Sequence, residues 1–242
     1  MKLSSVFISI VVFFIATVVV VIVTIVFYDY ESEFYKNVLV EAHGMLFDIL
    51  VIGVFILALN KLAEKRIENQ RYLDEIDDFR GWKSEEAAFR IAGNIKRLNR
   101  NRYKGKLNLV TCYLPSVDLY GADLRGANLT RARLDGTDLI HANLKEAILI
   151  NADLSGTKLM EAKLEGVKLD GVKLREADLR GTDLSGACLT GANLERADLR
   201  GTDLTRCFGL DIGQLSSVKS LCGTKLDTEL MEQVKEKYPH LL

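Results

Sequence analysis

The chain has 242 residues, which is enough for one or two domains of ordinary size, and its formal net charge is −1 at pH 7. This balance indicates no particular partner, and the presence of only two prolines excludes Pro-rich linkers. The four cysteines have no CxxC spacing and no histidine nearby, which excludes the usual Cys/His zinc pattern. They are Cys112, Cys188, Cys207 and Cys222.

Two apolar segments lie before residue 60. Residues 6–27 contain no charge, and 22 residues in a helix can cross roughly 30 Å of hydrocarbon. A secretory signal would have a shorter apolar core and a small-residue cleavage site, which is missing here. A short acidic stretch separates this segment from a second one at 38–59. The sequence therefore predicts a transmembrane helical hairpin over 1–59.

Basic residues flank the two predicted membrane helices. Lys2 precedes the first helix, and Lys61, Lys65 and Arg66 follow the second. Because positive residues favour the cytosolic side, we expect both termini and the rest of the chain in the cytosol, with the hairpin in a bacterial inner membrane. The cysteines then lie in a reducing compartment and are expected to be free thiols.

Two carboxylates, Glu41 and Asp48, interrupt the second apolar segment. They are seven residues apart and share one helix face, with Gly44 between them. A lone carboxylate deep in a membrane costs several kcal/mol unless it is paired or protonated. The first segment has small and hydroxyl-bearing residues at matching spacing, so the two stripes either pack together or mediate homo-oligomerisation. The alternative is that the two stripes together form a path that conducts ions or protons.

Residues 60–106 form a polar connector. Apolar residues at mixed three- and four-residue steps predict an amphipathic helix over 60–79. Ser84 is placed to cap a second helix, whose first turn is acidic. The apolar stripe of that second helix comprises Ala88, Ile91, Ala92, Ile95 and Leu98.

The end of the connector is basic, with seven Lys or Arg residues and no acid between positions 90 and 106. Near a membrane such a cluster binds anionic lipid headgroups, and the alternative is an ordinary solvated helix end. A nucleic-acid interface is disfavoured because Tyr103 alone is available for stacking. The candidate headgroup residues are Arg90, Lys96, Arg97, Arg100 and Arg102.

A leucine occurs at every fifth position from Leu109 to Leu204, twenty leucines in all. The position two before each is Ala, Val, Thr, Cys or, once, Leu, and the position just before is usually Asp or Asn. Helices repeat every 3.6 residues and strands every two, so this period predicts a repeat architecture. We expect the leucine and the small residue to face inward and successive coils to stack at about 4.8 Å.

These repeats, such as "GADLRGANLTRARL" from residue 121, resemble the A(D/N)LXX consensus of the pentapeptide-repeat family. The resemblance implies a right-handed, quadrilateral parallel β-helix with about four repeats per coil. Residues 107–208 would then form about five coils and a rod about 24 Å long. The expected fold is this β-helix preceded by the transmembrane hairpin and the helical connector. Residues 209–242 break the period and are expected to close the last coil with a capping helix.

Four repeats per coil would make residues twenty apart vertical neighbours. A coil of lysines then lies between coils bearing Asp and Asn, which relieves like-charge stacking. It comprises Lys158, Lys163, Lys168 and Lys173. An outward column also forms, and its exposed apolar side chains predict a docking site for a protein partner, unless the connector helices cover them. The column comprises Tyr120, Ile140, Met160, Arg180 and Arg200, with His141 beside it.

The sequence has no Gly-rich phosphate loop, HExxH, nucleophile elbow or catalytic carboxylate pair, so no enzyme activity, cofactor or metal is expected. The leading hypothesis is a membrane-anchored protein-interaction scaffold. The alternative is a membrane effector whose hairpins oligomerise and perturb the bilayer. The family resemblance also implies DNA mimicry and gyrase binding as a third reading. Residues 107–206 disfavour it, because 15 acids against 13 Lys or Arg are too balanced for a DNA mimic.

Overall fold

The computed structural model describes residues 15, 17–22, 26 and 33–242. Most of the predicted first membrane helix, 6–27, lies outside the described residues. The chain divides into two units, Met1–Glu68 and Asn69–Leu242.

The first long helix, α1, runs without interruption from Glu33 to Phe79. The second apolar segment and the amphipathic part of the connector, predicted as separate helices that meet near residue 60, are therefore one helix. The reason is local, because residues 60–70 are mostly strong helix formers and include neither Gly nor Pro.

Helix α1 also contains a long apolar stretch. In the part of the chain that the structure describes, Gly44–Phe79 is the one helical stretch long and apolar enough to cross a bilayer. Its large apolar side chains, among them Met45, Phe47 and Ile52, are exposed and do not pack into a protein core. The two-helix hairpin stays a prediction.

The second helix, α2, spans Glu85–Arg100 and begins where the sequence predicts. The Ser84 side chain accepts a hydrogen bond from the backbone N–H of Ala87 at 3.2 Å, which satisfies one of the free donors of the first turn. The predicted apolar stripe is buried along its whole length. Two of its members, Ile91 and Ile95, share one apolar cluster with Leu109, the first leucine of the five-residue pattern.

The repeats form one continuous solenoid, which we call the coil from here on. Each turn of the coil pairs in parallel with the next at a spacing of twenty residues. Each residue before a leucine makes a single-residue β-bridge with its counterpart one turn later, from Asn108↔Asn128 to Cys188↔Phe208. These isolated bridges take the place of extended strands throughout residues 107–208. The spacing confirms four pentapeptides per turn and confirms the predicted vertical neighbours, such as Asp138 and Lys158.

Leucines fill the interior of the coil. All twenty from Leu109 to Leu204 are at most 1% exposed, and the small residues two positions earlier are buried beside them. Where the small residue is threonine, its hydroxyl donates to a backbone carbonyl, as Thr137 Oγ1 does to the oxygen of Leu114 at 2.5 Å. These buried hydroxyls are thereby satisfied within the coil.

Two cysteines occupy the small inward position. Cys112 is fully buried and Cys207 partly so, and burial raises the pKa of both thiols to about 12. Thiols with so high a pKa stay protonated at neutral pH and are poor nucleophiles, so these residues act as small apolar fillers. Cys222 is exposed.

The corners of the coil have left-handed backbone. The residue after each outward position has φ near +60°, whether it is a glycine, such as Gly156 (φ 64°), or not, such as Thr111 (φ 58°). For a β-branched residue this conformation is strained. At Gly156 a Cβ would have no atom within 4 Å, so the space there is open.

The coil continues beyond its predicted end at residue 208. Asp198 bridges Ser220 and Asp203 bridges Lys225, so this last turn has a spacing of 22 residues. The two additional residues accompany the short helix α3, Ile212–Leu215, which a capping box between Asp211 and Gln214 initiates. This insertion breaks the five-residue period, and for that reason the sequence pattern hides the turn.

The helix that precedes the repeats and the helix that follows them both contact the coil. At the C-terminal end, α4 (Thr228–Lys237) buries Val234 in the central cluster, and a 3-10 turn follows at Pro239–Leu241. At the N-terminal end, the Asn99 amide Nδ2 donates to the backbone oxygen of Asp123 at 3.2 Å and its Oδ1 accepts from the same residue's N–H. These two hydrogen bonds hold helix α2 against the first turn of the coil.

A reciprocal pair of substitutions tests the corner conformation. We expect Thr111→Gly to raise the free energy of unfolding by about 1 kcal/mol, because glycine adopts positive φ without strain. Gly156→Thr should lower it by about the same amount. Denaturant unfolding of the detergent-solubilised full chain, followed by circular dichroism, measures both. Equal effects of the same sign from the two changes would contradict the assignment of strain to the corner.

Candidate interaction surface

One side of the coil carries the predicted outward column, Tyr120, Ile140, Met160, Arg180 and Arg200. The bridges between positions two residues earlier, from Asp118↔Asp138 to Asp178↔Asp198, place its members in successive turns. Neighbours in the column are therefore about 4.8 Å apart along the axis. We call this surface the 120–200 column.

The first half of the column is apolar and aromatic. Tyr120 is 59% exposed, and the ring of His141 meets it edge-to-face with 5.4 Å between ring centroids. The Nδ1 atom of His141 lies 3.3 Å from Glu161 Oε2 in the next turn. Ile140 and Met160 are half-buried. The hypothesis that the connector helices cover this surface is not supported at Tyr120, which stays exposed.

The second half of the column is a pair of fixed guanidinium groups. Arg180 donates from Nε and Nη2 to the two carboxylate oxygens of Asp178, at 2.8 and 2.7 Å. Arg200 makes the same two-pronged contact with Asp198, at the same distances. Nη2 of Arg180 also lies 3.0 Å from Met160 Sδ, so the two halves of the column are contiguous.

Asp198 anchors this basic end. Its side chain is 7% exposed, and Lys219 of the irregular last turn contacts it at 3.3 Å in addition to Arg200. The hydrogen bonds from Arg200 outweigh the burial of the carboxyl and, together with Lys219, lower the pKa of Asp198 to about 2. Lys219 is absent from the predicted site because the 22-residue spacing that brings it here is invisible in the repeat pattern.

The predicted lipid-headgroup residues have mixed surroundings. Arg90 pairs with Glu86 at 3.0 Å and Glu75 at 3.4 Å, and Lys96 pairs with Asp118 at 2.7 Å. Arg97 donates to Asn94 Oδ1 at 2.8 Å and lies over the Tyr72 ring. Arg100 and Arg102 are exposed, without an ion pair to the described residues. Lipid contact stays a prediction, and three of its five residues already have protein partners.

The predicted intramembrane pair, Glu41 and Asp48, lies on α1 with both side chains exposed. A Cβ at Gly44, between them, would have no described atom within 4 Å, so there is open space at that position. Its packing or conducting role stays a prediction.

Two of the four lysines in the predicted lysine coil make the expected vertical ion pairs, Lys158 with Asp138 at 3.9 Å and Lys173 with Asp153 at 3.3 Å. No group of three or more His, Cys, Asp or Glu side chains with the geometry of a metal site occurs within residues 15, 17–22, 26 and 33–242.

The model of the family described as pentapeptide repeats matches the chain in eight copies, over overlapping stretches between residues 106 and 206. Through this region the chain belongs to the pentapeptide-repeat family, in agreement with the twenty-residue spacing of its coil. No curated protein matches the chain.

Several solved structures are similar. Trypsin-treated QnrB1, a plasmid-mediated fluoroquinolone resistance protein, is 23% identical, and the match covers 53% of this chain and 72% of that one with a TM-score of 0.34. Rfr23 from the cyanobacterium Cyanothece 51142 is 29% identical over 57% of this chain and 96% of its own, with a TM-score of 0.31. HetL, involved in heterocyst differentiation regulation in the cyanobacterium Nostoc sp. strain PCC 7120, is 30% identical over 55% and 70%, with a TM-score of 0.21.

The buried carboxylate predicts a pH dependence of stability. Because the pKa of Asp198 is lower in the folded chain than the value of about 4 in the unfolded chain, its contribution is complete above pH 4 and is lost as the pH falls toward 2. We expect Asp198→Asn to cost about 2 kcal/mol at pH 7 and to flatten the stability curve between pH 4 and 2.

The matched control is Asp123→Asn, which removes a carboxylate that pairs with Arg125 in the same way but is 42% exposed. Its expected cost is below about 1 kcal/mol, as for other exposed pairs. Denaturant unfolding of both variants across this pH range makes the measurement. Equal costs for the two variants would contradict the role assigned to burial.

Proposed function

We propose that this chain is a non-enzymatic, membrane-anchored protein-interaction module that presents the 120–200 column to a partner protein in the cytosol. The observation that carries the proposal is the contiguous outward row of Tyr120, which is exposed, with Ile140 and Met160, which are half-buried, on a coil whose interior is filled by leucine. Apolar side chains grouped on an outer surface are typical of docking sites.

The coil is suited to display side chains in a fixed arrangement. Each turn is hydrogen-bonded to the next at the corners and sides, as from the Gly121 N–H to the oxygen of Ile140 at 2.9 Å. A surface that is ordered before binding loses little conformational entropy when a partner docks. We propose that α2 and α4 cap the two ends and keep the coil from stacking on other proteins.

The proposed anchor is the helical hairpin over 1–59. It is supported by the apolar stretch within α1 and by the basic residues on its cytosolic side, Lys61, Lys65 and Arg66. We place the chain in a bacterial inner membrane with the coil in the cytosol. Gyrase binding by DNA mimicry is not proposed, because lysines replace the acidic residues in one whole turn of the coil.

Charge introduced into the apolar half of the column tests the docking proposal. We expect Tyr120→Glu/Ile140→Glu/Met160→Glu to lose partner capture by about tenfold or more, because carboxylates would have to be desolvated against an apolar partner surface. The measurement is quantitative pull-down of the detergent-extracted chain from its native host.

The control variant is Val110→Glu/Ile148→Glu/Ile150→Glu, which places the same charges on three half-buried apolar residues of the opposite side of the coil, half a turn from the column. It should retain the partner. If both variants capture the same proteins as the unchanged chain, the column is not the docking site.

A second candidate function rests on the exposed carboxylates of α1. In this reading, hairpins oligomerise through the face of Glu41 and Asp48 and perturb the bilayer. The observation that favours it is that both side chains lie on an apolar helix with open space at Gly44 between them.

Removal of one carboxylate tests this second candidate. The effector hypothesis predicts that expression of the unchanged chain causes dye leakage from cells and that Asp48→Leu abolishes it, because a polar group in the membrane is removed. Glu64→Leu, on the same helix beyond the apolar segment, serves as the control and should leak as before. Leakage that persists in Asp48→Leu, or is absent from the start, counts against a membrane effector.

A further inference from the structure

The basic half of the 120–200 column borders a groove between successive turns. Its lining includes Arg180, Arg196, Arg200 and Lys219, together with Glu176, Asp178 and Asp198. The last turn of the coil contributes Lys219, so one of the cations of the groove is present because the coil continues past residue 208.

The exposed charge of this groove is positive although carboxylates line it. The side chains of Asp178 and Asp198 are 28% and 7% exposed, whereas those of Arg180, Arg200 and Lys219 are 41%, 46% and 63% exposed. The two aspartates lie underneath and hold these cations in place, and the cations face solvent. Glu176 is 50% exposed and pairs with Arg196 at 3.5 Å, so the lining has four cations against three carboxylates. An approaching ligand therefore meets cationic groups first.

Both arginines retain unused donors in a fixed position. Each arginine uses Nε and Nη2 to hydrogen-bond its aspartate, and neither Nη1 donates to any residue that the structure describes. The two arginines lie in successive turns, whose backbones are about 4.8 Å apart. Carboxylates prefer such ordered guanidinium donors, and charge-assisted hydrogen bonds of this kind are among the stronger ones.

We propose that the partner binds through a short extended segment with apolar residues at one end and Asp or Glu at the other. This inference rests on the proposed function and names the chemistry of its partner. The apolar residues would lie on Tyr120, Ile140 and Met160, and the carboxylates would bridge Arg180 and Arg200. Four steps of the coil span about 19 Å, which is the length of about six residues of extended chain.

The charges along the column favour a peptide over a nucleic acid. Asp118 lies at the level of Tyr120 with 67% of its side chain exposed, and Asp138 follows in the next turn. Asp118 is paired with Lys96 and Asp138 with Lys158, so this end of the column offers no excess of positive charge to a continuous polyanion. A segment that carries acid at one end alone matches this distribution.

Selection from a displayed library of random peptides of about twelve residues, with the full chain in nanodiscs as bait, tests the proposal. The baits are the unchanged chain, Arg180→Gln/Arg200→Gln and the control Arg125→Gln/Arg133→Gln. The control removes two arginines that also pair with nearby aspartates, on other sides of the coil. If the first variant does not fold, Arg180→Gln/Lys219→Gln replaces it and spares the Arg200–Asp198 pair.

We expect the unchanged chain and the control to enrich peptides in which Asp or Glu follows or precedes an apolar group. Affinity for these peptides should fall about tenfold in the Arg180/Arg200 variant. Selection without acidic enrichment, or equal enrichment on all three baits, overturns the inference. So does displacement of the peptides by a short oligothymidylate at a lower concentration than by a free acidic peptide.

A fourth bait separates this inference from the proposed function. If Tyr120→Glu/Ile140→Glu/Met160→Glu loses the selected peptides while the Arg180/Arg200 variant keeps them, the column is a docking site without the acidic specificity. If the fourth bait keeps every peptide, docking at the column itself is refuted.

Discussion

Burial of a leucine at every fifth residue is the constraint on which the rest of this structure depends. Each leucine fixes one side of a turn, and four sides close a turn whose backbone pairs with the next at a spacing of twenty residues. Residues far apart in the chain, such as Tyr120 and Arg200, are therefore brought into one line without any direct contact. The interaction surface is a consequence of the core spacing, and local sequence around each residue contributes little to its position.

Much of the coil could be predicted because its period is strict. The inward leucines, the Ser84 cap and the stripe of α2 follow from spacing and residue type. The vertical neighbours twenty apart required in addition the four-sided coil that the family resemblance implies. The last turn could not be predicted, because two additional residues around α3 shift the spacing to 22. The union of two expected helices in α1 also escaped prediction, since a change from apolar to polar residues alters the surroundings of a helix and not its hydrogen bonds.

The residues that form the interaction surface could be predicted, but the ion pairs that their charged side chains make could not. The column itself follows from the period together with the four-sided coil that the family resemblance implies, but the partners of its charged groups do not. The triplet Asp-Leu-Arg occurs at residues 123–125, 178–180 and 198–200 and forms the same fork each time. Only tertiary context distinguishes them, because Lys219 and the last turn bury Asp198 and leave Asp123 exposed. Likewise, Arg90 and Lys96 look like free cations in the sequence, and acidic residues from other parts of the chain neutralise both.

The four-sided turn also determines which changes in length the surface tolerates. Duplication of twenty residues adds one whole turn, so the column would become longer by about 4.8 Å and every later side chain would keep its side. Insertion of a single pentapeptide would instead rotate all later residues by one side and divide the column between two faces. Two additional residues are accommodated at α3 because the chain can bulge at a corner and return to the same side. Descendants of such a chain can therefore extend the recognition surface in steps of one turn, whereas five-residue slippage yields a folded coil with a different surface.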